Sequence, residues 1–356
     1  MRDIQTVTGP VSPDELGVTL PHEHLLIDLS TYVDEERYGK TVRARRKLKE
    51  DVSLDNLWWM QYGRQWDWRC RDRWRLDDIE TAIAEANRFR NHGGETIVDV
   101  TPMSPSVGRD PEGVREIAYE TGLNVILGTG QYIAPTHPPE MDEWSARELA
   151  DQIVAEIETG IGSTTVQAGI IGEIGATEGF LENDNERKSF RAAAMTQAET
   201  GLPITIHPPV FTQEGHDVLD VIEDAGGNVD NVILGHLDAS LRLDGASEYY
   251  HSLADRGVYL EFDLFGRSGY VAEQDLSFPL DEDRVHELRR LADVGYGDQL
   301  LASMDICHKV HLTQYGGTGY DYLLRDIVPL LERRGFDDAE IQGLMIDNPR
   351  AALTPT

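Results

Sequence analysis

Cysteine is nearly missing from this chain: Cys70 and Cys307 are the two in 356 residues. That excludes a disulfide framework as the basis of the fold and points to a reducing, cytoplasmic setting. Long apolar runs are also missing. None approaches the roughly 18–20 residues that cross a bilayer, so no membrane association is expected. The first nine residues, Met1 to Gly9, lack the apolar centre of a signal peptide. Lysine is scarce too, confined to positions 40, 47, 49, 188 and 309, so 27 of the 32 basic residues are arginine. Against 64 acidic residues these leave a net charge of −32, dispersed rather than gathered in a tail. A basic face for phosphate contacts is absent, which excludes nucleic acid as a partner. Such a surface repels itself in dilute buffer and is screened in molar salt, so a halophilic source is expected, with an ordinary acidic cytosolic enzyme as the alternative.

What is present is a regular alternation. Hydrophobic residues make up 40% of the chain, enough for a full core. Eight short apolar segments, about 17–22, 95–101, 123–129, 168–174, 202–207, 231–236, 257–263 and 299–305, read as strands. Amphipathic stretches of helical period separate most of them, including Asp77–His92, Ala146–Thr159, Glu186–Thr200, Glu214–Ala225 and Asp283–Val294. Several close on a glycine suited to a helix C-cap, such as Gly122 and Gly201. Eightfold alternation predicts an α/β fold, a single (β/α)8 TIM barrel, and such barrels commonly reach this length as one domain. The expected plan is an N-terminal β arm over 1–16, the barrel over 17–335, and a C-terminal helix and tail over 336–356. Long loops follow strands 1, 7 and 8, at 25–76, 264–282 and 306–319, where lids and specificity elements are found. The first holds Trp58, Trp59, Trp66, Trp68 and Trp74, either a small satellite core or a dimer contact.

The chemistry sits at the strand ends. His22 and His24 flank Glu23, and alternation along a strand points both imidazoles the same way. His207, His236 and Asp305 end three further apolar runs, and Glu173 ends the fourth strand in Ile170-Ile-Gly-Glu-Ile-Gly175. A lone histidine at a strand end is usually a hydrogen-bonded packing residue. Six metal-ligand types, each at the carboxyl end of a predicted strand, are not explained that way. Four imidazoles can serve two divalent metals, Zn by default with Mn, Co or Fe as alternatives, and a carboxylate between them can bridge. Asp238, two residues past His236, is a candidate for orienting a histidine or relaying a proton. His308 and His311 lie in a loop expected to be exposed and are candidates for substrate contact. Arg109 is expected to pair with a carboxylate. Gly128-Thr-Gly130 lacks the third glycine and helix start of a nucleotide fingerprint.

Leu20-Pro-His-Glu-His24, Val98-Asp-Val-Thr101, Gly128-Thr-Gly-Gln-Tyr132, Ile171-Gly-Glu-Ile-Gly175, Gly235-His236, Asp305-Ile-Cys307 and Tyr315-Gly-Gly-Thr-Gly-Tyr320 together resemble the phosphotriesterase family of the amidohydrolase superfamily, most closely its phosphotriesterase-related branch. The resemblance implies that His22, His24 and Asp305 bind a buried metal, that His207 and His236 bind an outer one, and that Glu173 bridges them. It also implies a homodimer. Two departures separate this chain from the organophosphate hydrolases of the family. Their bridging carbamylated lysine on strand four has no counterpart here, since Lys188 falls in a predicted helix, and Leu264 stands where they carry a histidine after strand seven. The expected activity is hydrolysis of an ester, lactone or amide of a small molecule by a metal-bridging hydroxide, with Asp305 taking up its proton and Asp238 assisting. Phosphotriester hydrolysis is an alternative activity. Deamination at a single metal is another, and a barrel that keeps metal for stability alone is the non-enzymatic one.

Overall fold

A computed structural model describes residues 2–60, 70–271 and 275–356. Eight strands form one parallel sheet in sequential order: β1 (Thr19–Glu23), β2 (Thr96–Asp99), β3 (Asn124–Thr129), β4 (Ile170–Gly175), β5 (Ile204–His207), β6 (Val232–Leu234), β7 (Tyr259–Phe262) and β8 (Leu300–Ala302). Each overlaps a predicted segment; most are trimmed at their ends, while β1 and β4 run one residue past the predicted end. The sheet curls into a (β/α)8 TIM barrel. Between β8 and β1 the joint is made largely by one side chain. Glu23 accepts from Ser303 Oγ at 2.7 Å, Met304 N at 2.9 Å and Ile306 N at 2.8 Å, while Asp305 N donates to His22 O at 3.2 Å.

The helices form where sequence signals place them. Asp78 caps Ile79–Asn91, a Ser145–Glu148 capping box opens Ala146–Glu158, and Asn183 caps Asp184–Thr200. Pro111 begins Pro111–Thr121, which stops at Gly122 in the left-handed conformation. Their apolar faces cover the outside of the barrel.

Inside, the amino-terminal end is sealed. Val98, Ile126, Ile170, Ile233 and Leu301 form a dry layer there, closed by Ile4 of the N-terminal hairpin and Leu353 of the last helix. The arm and the C-terminal helix are thus one plug. On the other end, the segment after β1 builds a satellite core from Val52, Leu57, Trp59, Met60 and Cys70, docked on Val310 of the loop after β8. This supports the satellite-core reading for Trp59, whose ring also lies 4.0 Å from Lys47 Nζ. Trp58 is exposed, Trp74 is buried nearer the barrel axis, and Trp66 and Trp68 lie outside the described residues. Among the described residues, no helix is long and apolar enough to cross a membrane.

Candidate metal centre

Glycines make the close approaches that bring the strand ends together. A Cβ on Gly172 would collide with Thr205 of β5, and one on Gly175 would lie 2.6 Å from Ile133. The small residues around Glu173 thus make room for neighbouring chain. Gly235 is likewise hemmed in by Ile206 O at 2.9 Å and Asp263 Oδ2 at 3.0 Å. His236 and Asp305 follow with φ of 53° and 45°, the left-handed region that costs energy for any residue with a Cβ. Two of the predicted ligands are therefore held in strained backbone by the surrounding barrel.

The six predicted ligands converge. Glu173 Oε1 lies 2.9 Å from His236 Nε2, 3.0 Å from His207 Nδ1 and 3.4 Å from His22 Nε2. His24 Nε2 faces Asp305 Oδ1 at 3.3 Å. His236 Nε2 and His207 Nδ1 are only 2.8 Å apart, so they can share a proton but cannot both carry one. Five of the six fall into two overlapping groups, His22–His24–Asp305 and His22–Glu173–His236, each with its ligand atoms within 4.8 Å of one another, and a third such group, His22–Glu261–Asp263, lies behind the His22 ring.

The far side of three of the rings is fixed. His22 Nδ1 meets Glu261 Oε2 at 3.0 Å and Asp263 Oδ2 at 3.2 Å. His236 Nδ1 meets Asp263 Oδ1 at 2.8 Å, and His24 Nδ1 meets Thr101 Oγ1 at 2.9 Å. His22 Nε2 is consequently aimed inward, buried and without a hydrogen-bond partner. An orphaned ring nitrogen amid imidazoles and carboxylates is what a divalent cation would satisfy, and the donor set fits one.

Electrostatics agree. Burial pushes the Glu173 carboxyl up, but His207 and His22 hold it well below the usual carboxylate range. Burial opposes ionisation of Asp305 as well, and Arg267, His24 and His236 overcome it. Burial pushes Glu261 up to about 7, against the pull of His22.

Asp238 is not where the sequence reading put it. Its carboxylate is fully buried and accepts from Arg284 Nε at 2.5 Å and Leu264 N at 3.2 Å, with no hydrogen bond to a histidine among the described residues. An acid two residues beyond His236 points away from its ring because a short helical turn, Leu237–Ser240, intervenes. The orienting acid is Asp263. Strand β7 and its end carry Glu261 and Asp263 on one face of an otherwise apolar run, and that buried acid pair was the readable signal. Arg267 was also missed. It follows β7 and donates from Nη2 to Asp305 Oδ2 at 2.7 Å, to Asp305 O, and to Cys307 Sγ at 3.2 Å. No spacing rule marks it.

His308 is buried rather than exposed, edge-on to Trp74 at 4.2 Å between ring centroids, and His311 is partly buried beside it. The reason is that the loop after β8 folds under the loop after β1, pinned by Lys309 Nζ to Asp72 at 2.7 Å. Arg109 pairs with Glu156 at 2.8 Å, as expected. Lys188 lies in the helix Asp184–Thr200, as expected, and donates to Met141 O of the Pro139–Asp142 turn. Leu264 is buried in a small apolar cluster.

Above these groups opens a cavity of about 410 Å³, with His207, Arg267 and Asp305 at its base. A TIM barrel whose strand ends gather four histidines and two carboxylates beneath such a cavity defines a metal-dependent hydrolase. The profile of the Phosphotriesterase family matches residues 2–353, and the chain belongs to that family. An N-acetyltaurine hydrolase from Dictyostelium discoideum is 32% identical over 372 residues, covering 99% of this chain and 97% of the relative. A resiniferatoxin-binding protein from Rhodobacter sphaeroides superposes with a TM-score of 0.92 at 37% identity, over 99% of this chain and 94% of that one. A mutant PTE-like lactonase from Deinococcus radiodurans gives a TM-score of 0.76 at 26% identity, over 99% and 100%.

Proposed function

We propose that this site holds two divalent metal ions and hydrolyses a carboxyl-centre bond of a small molecule, an amide first and a lactone or ester second. The observation that carries the reading is Glu173 Oε1, within 3.4 Å of three imidazole nitrogens while His24 and Asp305 stand beside them. One carboxylate oxygen that faces an imidazole of one proposed ligand set, His22, and both imidazoles of the other, His207 and His236, suits a bridge between two ions. His22, His24 and Asp305 would hold one, His207 and His236 the other. When bound, the ions, Zn by default, supply Lewis acidity, bringing the pKa of water to about 7 and polarising the carbonyl oxygen.

The chain's own residues do the rest. Asp263 and Glu261 lock the rings so that the ligating nitrogens point inward. Arg267 ties Asp305 Oδ2, leaving Oδ1 to face His24 Nε2. Asp305 takes up the proton of the attacking water at Oδ1 and delivers it to the leaving nitrogen or oxygen. Amide comes first because relatives of this length are named N-acetyltaurine hydrolases, and lactone follows from the lactonase neighbour. Phosphotriesters are expected to be poor substrates, since a glutamate replaces the bridging lysine and Leu264 is buried where a proton-relaying histidine would stand. Deamination at one metal leaves Glu173 without a task.

Apo-enzyme reloaded with Zn or Mn should bind two ions per chain and cleave N-acyl amides ahead of lactones, with phosphotriesters last. One ion per chain together with deamination and no hydrolysis would refute the reading.

A further inference from the structure

The cavity wall is unlike the rest of the surface. A chain with 64 acidic residues lines its site with a single carboxylate among the described residues, Asp305, and that group already faces Arg267 and His24. Besides Arg267, the charged lining residue is Arg37, exposed on the segment after β1 with its guanidinium 5.1 Å from the Tyr38 ring. The cavity therefore runs from an exposed guanidinium to a buried floor of ligand residues. An anion would meet positive charge there within a repelling surface.

One side of the same cavity is apolar and larger than an acetyl group requires. Val210 and Phe211 leave β5 just past His207, so this wall begins at the metal floor. Phe278 and Val271, from the hairpin formed by Gly269–Val271 and Leu276–Phe278, complete it, with Phe211 and Phe278 rings 5.0 Å apart. At about 410 Å³ the space lies within the roughly 300–1,000 Å³ of sites that enclose drug-sized ligands.

We propose that the substrate is an anionic N-acyl amide whose acyl arm is longer than acetyl and lies against Phe211 and Phe278, while the carboxylate or sulfonate of its amine half pairs with Arg37. This rests on the hydrolase reading above. In the reaction, the oxygen of water bonds to the carbonyl carbon and the C–N bond breaks. One water proton passes through Asp305 to the leaving nitrogen and the nascent carboxylic acid gives up the second to the freed amine, so the products are a carboxylate and an ammonium ion that keeps the original anionic group.

The test uses metal-loaded enzyme and N-acylglycines from acetyl to decanoyl, each beside the N-acyl ethylamine that lacks the carboxylate. Binding is read separately by calorimetry with N-alkylsulfonylglycines, whose sulfonamide resists hydrolysis. We expect kcat/KM and sulfonamide affinity to rise about threefold to fourfold per methylene until the wall is filled, the equivalent of ~0.8 kcal/mol each. Phe211→Ala should flatten that slope. Arg37→Gln should raise KM about tenfold for the glycine conjugates and leave the ethylamides unmoved, as expected for one charge-assisted contact. Acetyl preferred over hexanoyl, or equal losses for charged and neutral amides in Arg37→Gln, would overturn the inference while sparing the hydrolase. Sulfonamides that bind with the expected slope, beside amides that are never cleaved, would uphold the inference and overturn the hydrolase reading. Absence of both binding and cleavage would overturn both.

Discussion

At the amino-terminal end of the barrel, Ile170, Ile233 and Leu301 pack in a dry layer under Ile4 and Leu353. Three or four residues further along the chain, Glu173 within its strand and His236 and Asp305 just past the ends of theirs, stand the ligand side chains. One end is sealed by segments near the two chain termini over an apolar cluster; the other concentrates imidazoles and carboxylates that would be costly without a cation. The difference separates stability from chemistry along the barrel axis. Damage at one end should leave the other end's property in place.

The largest effect short of removing a ligand is expected at Asp263, which holds both His22 and His236 from behind. Asp263→Ala should weaken metal binding by about 10- to 100-fold, with activity restored by excess metal. Metal titration followed by calorimetry checks this. Unchanged affinity would mean the rings are fixed by packing alone.

At the sealed end, Leu301→Ala should cost about 2–5 kcal/mol in chemical denaturation while metal content per folded chain stays the same. Loss of metal from the folded fraction of that variant would break the separation between the two ends.

The smallest effect belongs to neither end but to the surface around both. With a net charge of −32, stability should rise between low salt and about 3 M KCl, where the screening length shrinks to a few ångströms. Equal unfolding midpoints in the two would remove the case for a halophilic source.

How much of this was legible depends on which end and which contact is asked about. Strand positions and the six converging ligands followed from short apolar runs ending in His, Glu or Asp, because side-chain alternation and the carboxyl-end rule act locally. Glu23 was not legible: it faces away from His22 and His24, and its partners, Ser303 to Ile306, are some 280 residues distant. Asp238 lies near His236 in sequence and Asp263 near it in space, because the turn after β6 breaks the link between the two kinds of nearness. Arg267 and the burial of His308 depend on how two long loops fold over one another, which no periodicity encodes.

The most direct measurement is the metal content of the wild type and of Glu173→Ala, by elemental analysis after chelation, reloading with Zn or Mn and dialysis, with and without bicarbonate. The account predicts two ions per chain in the wild type whether or not bicarbonate is present, because a glutamate needs no carbon dioxide to bridge, and a loss of metal in Glu173→Ala with the fold intact. Two tightly held ions in Glu173→Ala, or a wild type that fills only with bicarbonate, would contradict it.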